Sequence, residues 1–326
     1  MSIFRFQKTF NQGLTTLFFS AIVATLPTPI KAATLVNPWE PIFEGIDYAT
    51  GFTDDPVPQS ANSFRIDLLN PEIQFFSTPS NGDIELETIA QTTSQFLEEF
   101  DLQVAVNANF FAPCCEADSE PKDLINLAIS NGEIVSPSDG LESGNIQEIP
   151  DSILITEDNQ AEITSTNPDD DFSNIFTAVS AGPRLVVDGE IVIDEVPRDA
   201  FYDLNPRTTV GLSEDEQYLY LVTIDGRQPG VSEGATLFQT GEWLVRFGAY
   251  QGLNLDGGGS TTMVREDEFG NALVLNIPST TGGIERFNGN NLGVFSQPLS
   301  VPEPSTLGFI CFSFIGLALS RSQKNS

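Results

Sequence analysis

Apolar residues recur along the chain in short runs, and most runs are rich in β-branched and aromatic side chains. Such runs, bounded by turn residues, are typical of β-strands. The dipeptides Asn131-Gly132 and Asp188-Gly189 each separate two apolar segments, as tight hairpins require. The sequence therefore predicts strands over residues 64–69, 103–107, 152–156, 184–187, 208–212, 218–225, 252–255, 261–265 and 272–277.

Two other segments have the spacing of amphipathic helices. The first has one apolar face formed by Leu86, Ile89, Ala90, Thr93, Leu97 and Phe100. In the second, Thr236 and Gln239 form a capping-box pattern and Gly248 provides a natural stop. Each predicted helix is followed at once by a predicted strand. This pattern predicts an α+β fold, with a few helices packed on a mixed β-sheet core in a single domain.

The first 32 residues have the three-part layout of a secretory signal peptide. Arg5 and Lys8 precede an apolar stretch over residues 14–26, and small residues around Ala32 provide a cleavage site. A buried first helix is the weaker interpretation, because two prolines interrupt the end of the run. We therefore expect residues 1–32 to act in export and residues 34–300 to form the folded domain.

Residues 301–326 form a second segment of the targeting type. A Pro-Glu-Pro sequence precedes an apolar run over residues 307–319, and Arg321 and Lys324 follow it. The run is shorter than the roughly 20 residues of a comfortable transmembrane helix, so it favours a processed segment over a permanent membrane anchor, which is the alternative. The tail resembles a PEP-CTERM sorting signal, which implies an exosortase-like processing enzyme as a partner. Either interpretation predicts an exported domain at the cell surface or outside the cell.

The charge balance of the chain is strongly acidic. The net charge is −32, with 46 Asp and Glu against 14 Lys and Arg. Three basic residues lie in the leader and two in the tail, so nine remain for the domain. Such a chain repels nucleic acid and anionic membranes, which disfavours both partners. An anionic ligand would have to be bound by a local group of arginines.

Histidine is absent from the sequence. This excludes Ser-His and Cys-His nucleophile pairs and histidine-ligated zinc, so catalysis must use carboxylates, arginine, amides and hydroxyls. No ligand pattern demands a metal or another cofactor, although so acidic a site is compatible with a divalent cation. The adjacent Cys114 and Cys115 suggest a vicinal disulfide or a pairing between chains, and we favour a local loop feature over a redox centre.

Polar and aromatic residues meet at the end of one predicted strand, in the stretch Asn107-Ala108-Asn109-Phe110-Phe111. The amides of Asn107 and Asn109 suit sugar hydroxyls or phosphate oxygens, and a phenylalanine can stack on a sugar face. A capped turn over core phenylalanines is the structural alternative.

Two further stretches place an arginine beside Gly or Pro at the start of a strand. They contain Arg184, after Gly182-Pro183, and Arg207, after Pro206. A guanidinium group there can bind a phosphate through two hydrogen bonds, whereas a surface salt bridge is the ordinary alternative.

Two apolar strands end in Asp-Gly, at Asp225 and at Asp256. Each carboxylate would emerge at a strand end, where functional sites are commonly built. The residues Gly257, Gly258, Gly259 and Ser260 after Asp256 resemble an anion-binding turn of backbone amides, and a tight hairpin is the alternative. The turn is not a Walker loop, since no lysine follows and a β-branched stretch stands where a helix is needed.

Taken together and in this order, these segments resemble the phosphodiester glycosidase family. The resemblance rests on the segments NANFF, SAGPRLVVDG, NPRTTVGLS, LYLVTIDGRQPGVSEGATL, LNLDGGGSTTMV and GGIERFNGNNLGVF, which span residues 107–295. The chain has Ala108 and Asn109 where the family more usually has two glycines. The resemblance implies a single catalytic domain that removes a sugar from a sugar-1-phosphodiester of a cell-surface or extracellular glycan.

These residues also define a chemical hypothesis. Asp225 and Asp256 supply the carboxylates of a glycoside hydrolase. The substrate-binding set is Asn107, Asn109, Arg184, Arg207, Arg227, Gly257, Gly258, Gly259, Ser260, Glu285 and Arg286. Two rival functions remain open: a non-catalytic polysaccharide-binding protein of the extracellular matrix, and a phosphodiesterase that cleaves at phosphorus.

Overall fold

The computed structural model describes residues 34–114, 119–138 and 151–300. The predicted leader and sorting tail lie outside these residues, so both stay predictions. Cys114 is disulfide-bonded, while Cys115 lies outside the described part of the chain. No helix in the described ranges is long and apolar enough to cross a membrane.

Short strands dominate the described chain. In chain order they are β1 Leu35–Val36, β2 Glu40–Phe43, β3 Ile46–Thr53, β4 Gln59–Asp67, β5 Gln74–Ser77, β6 Thr88–Ile89, β7 Val104–Asn107, β8 Phe111–Ala112, β9 Pro121–Leu124, β10 Ala128–Ser130, β11 Glu133–Ser136, β12 Asp151–Thr156, β13 Ala161–Ser165, β14 Ile175–Ala181, β15 Arg184–Val187, β16 Glu190–Ile191, β17 Arg207–Leu212, β18 Tyr218–Ile224, β19 Gln251–Asn254, β20 Met263–Glu266, β21 Ala272–Val274 and β22 Asn291–Phe295. The helices are α1 Thr93–Glu99 and α2 Leu237–Phe247, and a 3-10 turn covers Gly258–Ser260.

The strands form sheets of nine, five, five and three strands within the described residues. The nine-stranded sheet has the order β1-β3-β4-β18-β17-β19-β15-β16, with β2 beside β3. The five-stranded sheets have the orders β11-β10-β14-β12-β13 and β21-β20-β7-β22-β5, and the small sheet is β6-β9-β8. The fold is mostly β, with few helices.

The prediction of a mixed sheet is wrong, because the paired strands run antiparallel. The reason is visible at α2, which links β18 to β19. These two strands run in the same direction, but β17 lies between them and pairs with both. A helical crossover is therefore present although no two strands of the described residues pair in parallel.

The second helix begins and ends as predicted, whereas the first is shorter. In α2, Thr236 and Gln239 form the capping box and Gly248 ends the helix in a left-handed conformation. The first helix begins only after Thr92, which caps it. Leu86 has a φ of +67° and Ile89 lies in β6, so these two apolar residues are not part of the helix.

The sheets and helices are stacked in layers. One face of the nine-stranded sheet packs against both five-stranded sheets, through buried residues such as Phe64, Val106 and Ile153. The opposite face is covered by α2, whose Trp243 is fully buried. Each large apolar side chain buried in this way stabilises the fold by roughly 1.5–3 kcal/mol. The packing fixes the ends of β17, β18 and β19, where the candidate site lies.

Candidate active site

Asp225 and Asp256 emerge at the same edge of the nine-stranded sheet. Asp225 follows the last residue of β18, and Asp256 lies two residues beyond the end of β19. Both strands pair antiparallel with β17, which begins at Arg207. With neighbouring strands about 4.8 Å apart, the two strand ends are separated by about 10 Å. The backbones of the two aspartates thus flank the start of one strand.

Asp256 is anchored by its backbone and surrounded by polar groups. Its N–H donates to the carbonyl of Ala108 at 2.9 Å, and its carbonyl accepts from Nδ2 of Asn107 at 2.6 Å. Burial raises the pKa of the Asp256 carboxyl to about 6, although the Ser260 hydroxyl, the Arg286 charge and the Gly257 N–H each lower it. A carboxyl pKa raised in this way is common at functional sites.

Asp225 is more deeply enclosed, with only 4% of its surface exposed. Its Oδ1 accepts a hydrogen bond from the N–H of Ile277 at 2.9 Å. Burial raises the pKa of the Asp225 carboxyl to about 6, while the Ile277 N–H and the Asn276 side chain lower it. Both aspartates therefore have pKa values well above that of an ordinary aspartate.

The glycines after Asp256 leave space for two guanidinium groups. A Cβ at Gly258 would lie 3.1 Å from Nη2 of Arg227, and a Cβ at Gly259 would lie 2.5 Å from Cζ of Arg286. Gly258 also has a φ of +62°, which favours glycine. Its N–H donates to the carbonyl of Pro206 at 2.9 Å, so this amide is already used within the protein. Residues 257–259 thus give two arginine side chains room to approach, more than they offer free backbone amides to an anion.

Arg227 and Arg286 are close enough to influence each other. Burial lowers the pKa of Arg286, Asp256 raises it, and Arg227 lowers it further. Nη1 of Arg286 donates to the Ser260 hydroxyl at 3.2 Å, and Nη2 of Arg227 donates to Oδ1 of Asn205 at 2.9 Å. Two neighbouring cations beside a carboxyl group with a raised pKa form a local site for an anion, despite the acidity of the whole chain.

Arg207 binds carbonyl groups of the protein itself, whereas the sequence suggested phosphate as its partner. The residue is 2% exposed. Its Nε donates to the carbonyl of Ala235 at 3.0 Å, and its Nη2 donates to the carbonyls of Phe201 and Asp203, each at 2.7 Å. Burial lowers the pKa of Arg207 to about 10. Its guanidinium group holds the 201–203 loop in place.

Arg184 lies in a contact between sheets and is likewise not a ligand of the anion site. Its Nη2 pairs with Asp151 at 3.2 Å and donates to the carbonyl of Ile163 at 2.9 Å. The side chain thus joins β15 of the large sheet to β12 and β13. Arg184 therefore forms a salt bridge, which the sequence offered as the alternative to phosphate binding.

The two asparagines after β7 are structural, because their side chains are almost fully buried. Besides its bond to Asp256, Asn107 accepts from the Thr208 hydroxyl at 2.6 Å and so joins two sheets beneath the site. Asn109 accepts from Nδ2 of Asn290 at 2.9 Å and donates to the carbonyl of Leu127 at 3.1 Å. Neither amide can reach a sugar in this arrangement, contrary to expectation.

Glu285 also has a structural partner. Its Oε2 accepts a hydrogen bond from the N–H of Ser94 at 3.0 Å, at the first turn of α1. This contact holds the segment that carries the neighbouring Arg286.

A comparison with models of protein families shows which family the chain belongs to. The model of the phosphodiester glycosidases matches residues 100–295, which is more than half of the 326-residue chain. The chain belongs to the phosphodiester glycosidase family. The matched region contains Asp225, Asp256, Arg227 and Arg286, so the whole candidate site lies within the family domain.

Solved structures of low sequence identity share the fold of this phosphodiester glycosidase domain. The catalytic domain of zebrafish N-acetylglucosamine-1-phosphodiester alpha-N-acetylglucosaminidase, auto-inhibited by its pro-peptide, matches with a TM-score of 0.58 and 19% identity, over 82% of this chain and 89% of that one. A hypothetical protein from Synechocystis matches with a TM-score of 0.54 and 16% identity, over 82% and 69% of the two chains. A Burkholderia pseudomallei protein predicted to be exported gives 0.53 and 16%, over 73% and 74%. No curated protein matches the sequence.

Sequence reasoning missed several residues around the site of this family member. Asn276 and Ile277 hydrogen-bond Asp225, although the sequence marks them only as the end of a predicted strand. Asn205 accepts a hydrogen bond from Arg227. The one sequence feature that pointed to Asn205 was its position directly before Pro206-Arg207. Among the described residues no group of three or more acidic or cysteine side chains is arranged to hold a metal ion.

Proposed function

We propose that this protein is an exported hydrolase that releases a sugar from a sugar-1-phosphodiester by cleaving the bond between the anomeric carbon and the phosphate oxygen. One observation carries the proposal: the Asp256 carboxyl lies beside Arg286, and the Arg227 and Arg286 guanidinium groups lie against Gly258 and Gly259. Membership of the phosphodiester glycosidase family supports the reaction class.

The geometry suits a glycosidase whose leaving group is already a good one. Water supplies an oxygen to the anomeric carbon, the carbon–oxygen bond breaks, and the phosphate keeps the electron pair. A phosphate monoester, with a second pKa of about 6, leaves far more easily than a sugar alkoxide. Arg227 and Arg286 would stabilise the charge that develops on it. Asp225 and Asp256 then provide the carboxylates that assist attack and accept the proton of the water.

The proposed location is the cell surface or the extracellular space. The signal-peptide pattern of residues 1–32 and the PEP-CTERM-like tail of residues 301–326 support export and processing by an exosortase-like enzyme. The proposed substrate is accordingly a phosphodiester-linked glycan of the envelope or the matrix. A fold shared with a Burkholderia protein predicted to be exported is compatible with this location.

The test is to incubate the purified protein with a panel of glycosyl 1-phosphodiesters and to measure free sugar. Release by the wild type, with loss in Asp225→Asn and Asp256→Asn variants that remain folded, supports the proposal. Near-normal turnover in both variants would refute the assignment of the carboxylates. Tight binding of glycans without release would favour the non-catalytic matrix protein instead.

A further inference from the structure

An exposed aromatic side chain lies next to the candidate active site. Phe201 is 41% exposed, and its ring centroid lies 6.1 Å from that of the half-buried Phe110. Phe111, the other phenylalanine after β7, is 5% exposed and belongs to the core. Only Phe110 of that pair can therefore take part in a surface with Phe201.

The Phe201 ring is fixed by its neighbours on several sides. Tyr202 packs against it edge to face at a centroid distance of 5.7 Å, and Cζ of Arg207 lies 5.7 Å from its centre. Arg207 also binds the Phe201 carbonyl, so backbone and ring are both held. An exposed ring that is already ordered can bind a ligand without the entropy cost of ordering a loose side chain.

Backbone contacts place this aromatic pair beside the carboxylates. The Asp256 N–H binds the carbonyl of Ala108, which lies two residues before Phe110. Arg207, which holds Phe201, begins the strand between the two that carry Asp225 and Asp256. The chain segments that carry the two rings are thus neighbours of the Asp256 backbone and of the start of β17.

We propose that Phe110 and Phe201 form an aromatic subsite that stacks on a sugar ring of the phosphodiester, while Arg227 and Arg286 bind its phosphate. The inference rests on the proposed function and specifies which surface takes the sugar. The face of an aromatic ring offers apolar area to the C–H face of a pyranose, and ligand sites combine such surfaces with a few charged groups. The stacked sugar is either the one whose anomeric carbon is attacked or one on the other side of the phosphate.

Titration calorimetry with three compounds separates these contributions. N-acetylglucosamine 1-phosphate has its phosphate on the anomeric carbon and so represents the sugar that is released. Glucose 6-phosphate represents a sugar on the other side of the phosphate, and inorganic phosphate carries no sugar. Phe201→Ala should raise the Kd of one of the two sugar phosphates about tenfold, as expected from losing part of an aromatic contact, and leave that of phosphate unchanged. The sugar phosphate that is affected identifies which sugar stacks.

Further variants test whether the loss of binding is specific to the Phe201 ring. Phe201→Tyr keeps the ring and should restore binding, and Phe110→Leu should weaken the same compound. Phe269→Ala is the matched control, since Phe269 is 78% exposed in the turn between β20 and β21. Equal Kd values for Phe201→Ala and the wild type with all compounds would overturn the subsite alone. A wild-type protein that binds none of the three would overturn the proposed function and the subsite together.

Discussion

Gly259 and Arg286 are in such close contact that a side chain at residue 259 would force the Arg286 guanidinium group to move. A Cβ at residue 259 would lie 2.5 Å from the guanidinium carbon of Arg286, well inside any real contact distance. Arg286 in turn binds the Ser260 hydroxyl and influences the Asp256 carboxyl. The absence of a side chain at residue 259 therefore allows a cation to approach the carboxylate.

The first prediction follows from this contact. Gly259→Ala should displace Arg286 and reduce kcat/KM for sugar release by about 100-fold, the usual effect of losing one charge-stabilising donor. Gly241→Ala in α2 is the control, because its Cβ would approach no atom closer than Cγ2 of Ile191 at 3.1 Å and would lie in ordinary contact with the Leu185 carbonyl at 3.5 Å. Unchanged activity in Gly259→Ala would show that Arg286 does not act at the site.

A second prediction separates the arginines. Arg227→Ala should weaken competitive inhibition by inorganic phosphate about tenfold or more, since a charge-assisted hydrogen bond is lost. Arg184→Ala should leave inhibition unchanged, because its guanidinium group pairs with Asp151 and Ile163 instead. The inhibition constants of the two variants, measured side by side, check the assignment. Equal weakening in both would contradict it.

Much of this site was predictable from the sequence, but the direction of several side chains was not. Two apolar strands that end in Asp-Gly indicated where Asp225 and Asp256 emerge, and the capping box of Thr236 indicated where α2 begins. These are local patterns. Antiparallel pairing with β17 then brings the two aspartates to one edge of the sheet, which no local pattern indicates.

The failures concern contacts between distant parts of the chain. Asn107 binds the carbonyl of Asp256 across 149 positions of sequence. Arg207 binds carbonyls of a loop that has no periodic pattern of its own. A sequence shows that an amide or a guanidinium group follows a strand, but not which sheet or loop will lie against it. Both side chains were therefore assigned to the substrate although they hold the protein together.

The third prediction concerns stability. Since burial raises the pKa of Asp225 from 3.8 to about 6, the folded state holds its proton more tightly than the unfolded state. The contribution of Asp225 to stability should therefore fall as pH rises from about 4 to above 6. Asp225→Asn should lack this loss and be more stable at pH 8 by up to about 3 kcal/mol. Urea unfolding of both proteins at pH 4.5 and pH 8 checks this, and a constant difference would contradict it.

The fourth prediction concerns the pH dependence of catalysis. If both aspartates act as carboxylates, kcat/KM should fall as pH decreases through about 6, where the pKa values of both groups lie. Aspartates with ordinary pKa values would preserve activity down to about pH 4. A profile that stays flat between pH 7 and pH 4.5, with the protein still folded, would show that these carboxyl groups do not control the reaction.

Hydrolysis in oxygen-18 water distinguishes cleavage at the anomeric carbon from cleavage at phosphorus. We expect the wild type to incorporate the label into the released sugar, because water attacks the anomeric carbon, and Asp225→Asn and Asp256→Asn to release no labelled sugar. Label in the phosphate product would instead show cleavage at phosphorus and contradict the proposed reaction.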